Sequence, residues 1–183
     1  MLAHFVSSGN RSTVDKPLTI DMLSKSIFSG FLFREPVEDN MTTDAYKRDS
    51  EVQNIVRLMN MFYDLALCEW NGKAGPNSDT QRKLERLFRS KSMMAWSELL
   101  KDAICAKLEL HDSDEKNRPF YRDFAESDII KMRDVVTRLV NWKRWAAPEN
   151  DEIDRILADN KSEVKNWFRD KGLTTGYLMG APE

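Results

Sequence analysis

Cysteine, histidine and glycine are scarce in this chain. Of its 183 residues only two are cysteine, two histidine, seven glycine and six proline. Cys68 and Cys105 each fall inside a strongly apolar helical run, where a free thiol behaves as a small buried hydrophobe. A disulfide framework is therefore excluded, and a reducing compartment is expected. Together with His4 and His111 these residues are the whole stock of soft or borderline metal ligands, and no CxxC, HxxxH or HExxH pairing occurs. Neither a metal site nor a cofactor is expected. Long apolar runs are also missing, since no stretch approaches the roughly eighteen uninterrupted apolar residues that span a bilayer. The opening "MLAHFVSSGNRS" has no cation ahead of its short apolar run, so it does not read as a leader peptide. The expectation is a cytoplasmic protein with no membrane partner. Charge of one sign is not in excess either: 28 Lys+Arg against 30 Asp+Glu leave a net charge of −2. No global positive field draws polyanions in, so any nucleic-acid binding must come from a local basic patch.

What the chain does have is apolar material and helical periodicity. With 41% hydrophobic and 32% charged residues, it can offset its ordering entropy and stay in solution. No run alternates apolar and polar at period two, while patterns of period 3.6 follow one another, separated by clear punctuation. The predicted class is all-α, a single-domain bundle of five to seven helices around a central apolar helix. Residues 1–17 read as a tail or linker, 18–172 as the helical domain and 173–183 as an apolar C-terminal tail. The first helix follows Pro17, with Thr19 as a cap, and stops at Pro36. A long helix from about Asp44 to Glu69 closes at the loop "NGKAGPNSD". Its stretch from Ile55 to Trp70 is apolar almost all round, which marks it as the central helix. A helix from Asp79 to Ser90 and another from about Ser92 follow, as two helices or one bent helix. Ser127 opens the next, with Asp128 favourable in its first turn, and this helix runs to Ala147 before Pro148. Asn150 caps a final helix that Gly172 terminates.

Three groups of residues carry the functional reading. On the helix from Asp79, Arg82, Arg86 and Arg89 align opposite Leu84, Leu87 and Phe88, a stripe able to follow phosphates without reading bases. Trp145, in the segment "NWKRW", joins it as a candidate stacking surface. Trp142 falls on the apolar stripe with Leu139, whereas Trp145 stands about 120° away, on the flank of Arg138 and Asn141. Both features also have a plain structural reading, a solvated basic face and an aromatic packed at a helix end. Secondly, Arg57, Asn60 and Asp64 form a narrow polar strip on the apolar helix, either a buried network, an exposed face or the floor of a polar ligand site. Thirdly, Tyr177 and Met179 lie in the tail "GLTTGYLMGAPE", where Gly176 and Gly180 argue against a firm helix. Such a tail folds back on its own domain or presents these side chains to a partner.

Catalytic patterns are not found. "HDSDE" at His111 lacks the further ligands that a helical phosphohydrolase needs. "DSDEKNRPF" has neither the turn glycine nor the closing glutamate of a calcium loop, and "GKAGP" lacks the spacing of a phosphate loop. An enzyme is not expected, although a carboxylate site assembled in three dimensions stays open. The expectation is a non-catalytic helical protein-binding or scaffold module, the terminal part of a larger cytoplasmic protein, with a protein partner or self-association. The alternative is a nucleic-acid-associated accessory protein that uses the arginine stripe.

Overall fold

The computed structural model describes residues 24–28, 31, 42–67, 79–111, 118–147 and 151–181. The tail 1–17, most of the first helix, the loop 71–78 and the Asn150 cap lie outside these residues. Among the described residues there is no strand, and seven α-helices pack with one π-helical turn and one 3-10 turn. The protein is an all-α bundle.

Within the first helix Ser24–Phe28 form a π-helical turn, and Ile27 and Phe31 are buried in the core. Helix α1 spans Thr42–Leu67 and points Ile55, Leu58, Met59, Phe62, Tyr63 and Ala66 inward. Helices α2, Asp79–Leu87, and α3, Ser90–Lys107, are separate. The break is local, because Arg89 takes extended backbone angles of φ −64° and ψ 138° that an α-helix cannot continue. The Trp96 indole N–H donates to the Leu87 carbonyl at 2.8 Å, which satisfies one of the carbonyls left open where α2 stops.

Among the described residues, helix α3 packs against the most other elements. It packs against the π-helical turn, α2 and four later helices: α4 (Glu126–Val140), α5 (Asp151–Ala158), α6 (Lys161–Asp170) and α7 (Thr175–Met179). Its small residues explain this. Ser92, Ala95, Ser97 and Ala103 are all buried, and side chains of that size let neighbouring backbones approach from several directions. Helix α1 buries Ile55, Leu58, Met59, Met61, Phe62, Tyr63 and Ala66, and keeps Val52, Val56, Arg57 and Asp64 exposed on its outer side. Two rings tie it to the rest of the bundle: Phe62 stacks on Trp96 at 4.8 Å and meets Phe88 edge-on at 5.6 Å.

Two further boundaries differ from the sequence reading. Helix α4 ends at Val140 rather than Ala147; Trp142 is extended at φ −60° and ψ 120°, and Lys143–Ala146 form the 3-10 turn. The final helix is two, α5 and α6, separated at Asn160. There the Asn160 side chain accepts from the Glu163 N–H at 3.0 Å while its amide donates to the Glu163 carboxylate at 2.9 Å. This arrangement resembles a capping box, which satisfies free N–H groups at the start of a helix. Gly172, at φ 87°, ends α6 as expected, with the Leu173 N–H reaching the Phe168 carbonyl at 2.8 Å.

Beyond Gly172 the chain folds back, and the glycines do not prevent a helix. Thr174 caps α7 by accepting from the Tyr177 N–H at 3.1 Å, and Gly180 closes it at φ 120°. Leu173 and Leu178 enter the core, with α7 lying on α3 and α4. Their burial stabilises a turn too short to persist in isolation.

Candidate functional surfaces

Helix α2 is covered on two sides, by α3 and by the 3-10 turn. Its arginines therefore do not form the open stripe that the helical period suggests. Arg86 is 2% exposed. It donates to the carbonyls of Ala147 at 2.8 Å and Trp145 at 3.3 Å, and its Nε reaches the Asp154 carboxylate at 3.4 Å. These carbonyls end the 3-10 turn and have no continuing helix to bond, so a guanidinium with a fork of donors fits the position. Arg89 sits on the other side of Asp154, at 2.8 Å from its carbonyl oxygen and 3.1 Å from its carboxylate. Arg82 pairs with Asp79, and Lys83, also buried, donates to the Asn141 side chain at 3.2 Å. The middle arginine is thus enclosed, and the outer two are each engaged by a carboxylate, Asp79 and Asp154.

Trp145 is no surface platform. It is fully buried, its indole N–H donates to the Leu139 carbonyl at 2.7 Å, and its ring meets Trp142 at 5.1 Å and Phe168 at 5.5 Å, edge-on in both cases. The 120° displacement from Leu139 assumed a helix that continues, whereas the extended Trp142 redirects the chain and swings Trp145 inward. In "NWKRW" both tryptophans point in, while Lys143 and Arg144 are exposed. A base cannot stack on Trp145 without opening this corner.

The strip on α1 has the opposite fate. Arg57 and Asp64 are exposed and Asn60 is half-buried, so the three belong to the outer face and not to a buried network. Next to them stand Val52 and Val56, one turn apart and 38% and 39% exposed. The buried polar network of α1 is on its inner side and involves residues that the sequence reading did not single out. Glu51, at 0% exposure, receives Arg118 at 2.9 and 3.1 Å. The Asn54 amide donates to the carbonyls of Phe120 and Arg122 at 2.9 and 2.8 Å. A signal for both was available, because Glu51 and Asn54 share the helical face of Ile55 and Leu58, and polar groups on a core stripe need partners.

Tyr177 is half-buried against the core and Met179 is exposed. The Lys107 ammonium donates to the Met179 carbonyl at 3.1 Å and so ties down the end of α7. Tyr177 thus lies partly within the fold, while the Met179 side chain stays on the surface.

Among the described residues, Tyr63 and Asp159 titrate away from their ordinary values. Burial pushes the Tyr63 hydroxyl well up, in keeping with its ring stacked on Phe88 at 5.5 Å within the core. Asp159 is held low by its hydrogen bond with the Glu163 side chain and then by the Asn160 N–H, a local effect of the α6 cap. Among the described residues no group of three or more His, Cys, Asp or Glu is placed to hold a metal ion, and no helix is long and apolar enough to cross a membrane. Comparison with protein-family models, curated protein sequences and solved structures finds no match to this chain.

Proposed function

We propose that this chain is a helical protein-binding module of the cytoplasm, and that it docks its partner on the outer face of α1. The observation that carries the reading is the pair Val52 and Val56, exposed one helical turn apart and flanked by the exposed charges of Arg57 and Asp64. Apolar side chains at i and i+4 with charges beside them are what one helix presents to another. The face is also held in place from behind, where Glu51–Arg118 and the Asn54 amide bonds fix α1 to the segment 118–122. A preordered surface loses less freedom on binding than a mobile one. The scarcity of cysteine, two in the whole chain, suits the reducing cytoplasm.

The test compares two exposed positions. Val56→Glu alters the proposed surface, and Ile130→Glu alters the outer side of α4, where Ile130 is 56% exposed. Partners captured by the unaltered protein, or its self-association in sedimentation, should be lost in Val56→Glu and kept in Ile130→Glu. Equal behaviour of the two variants would remove the proposal.

A further inference from the structure

We draw no further inference here: the strongest candidate, the outer face of α1 with Val52, Val56, Arg57 and Asp64, belongs to the surface already described, and nothing in the structure shows what covers it.

Discussion

The corner where α2 meets the 3-10 turn and the outer face of α1 begin from similar sequence signals and end in opposite states. Each is a set of polar side chains in helical register. At the corner a second layer closes over the helix, and Arg86 is enclosed by the carbonyls of Trp145 and Ala147 and by Asp154. On α1 no described element covers the register of Arg57, Asn60 and Asp64, and its two charged members remain exposed. The difference comes from neighbours far along the chain, since Asp154 lies 68 residues from Arg86. A charged stripe on one helix therefore says little about accessibility until its neighbours are known.

The comparison can be broken most sharply at the corner. Trp145→Ala removes a fully buried ring and the indole bond to Leu139, and should cost about 3 to 5 kcal/mol in denaturant unfolding. A loss under about 1 kcal/mol would mean that the corner is loosely packed. Truncation after Gly172 comes next. It deletes Leu173 and Leu178 from the core, and after the ordering entropy of the strap is returned the expected cost is about 2 to 4 kcal/mol. An unchanged melting temperature would show α7 to be detachable.

Single charges sharpen the contrast further. Arg86→Met keeps the aliphatic volume but leaves the buried Trp145 carbonyl and the part-buried Ala147 carbonyl without their donor, and should cost about 2 to 3 kcal/mol. Arg57→Met on the outer face of α1 should stay within about 0.5 kcal/mol. Similar losses for the two would erase the distinction between buried and exposed stripes. The smallest effect is expected at the end of α3, where Glu109 is the one non-glycine residue among those described with a left-handed backbone, at φ 56°. Its N–H reaches the Ala106 carbonyl at 3.1 Å and the Leu110 N–H the Cys105 carbonyl at 3.0 Å, the bonding pattern in which glycine is favoured. Glu109→Gly should raise stability by about 0.5 to 1 kcal/mol, a gain visible as a shifted denaturation midpoint.

Several elements were legible because their causes are local. Period 3.6 without period two specifies helices, and Gly172 stops α6 because it enters the left-handed region without steric cost. The Asn160–Glu163 cap was equally local and could have been read from "NKSE", which would have divided the last helix correctly. The candidate site was less legible. Helical spacing grouped Arg57, Asn60 and Asp64 correctly, but it could not tell an outer face from a covered one.

By itself the sequence determined the all-α class, the approximate extents of α1 and α2, and the apolar character of the stretch that carries Leu58 and Phe62. Those depend on dihedral preferences and on which side chains leave water, and both act within a few residues. Only the tertiary structure decided that α3 packs against the most elements among the described residues, that Arg86 and Trp145 are buried and that Leu178 returns to the core. The physical reason is that helical period gives angles about one axis, whereas burial depends on which other axes come close. Arg86 reaches a carbonyl 59 residues away, and that proximity is created only when the bundle closes.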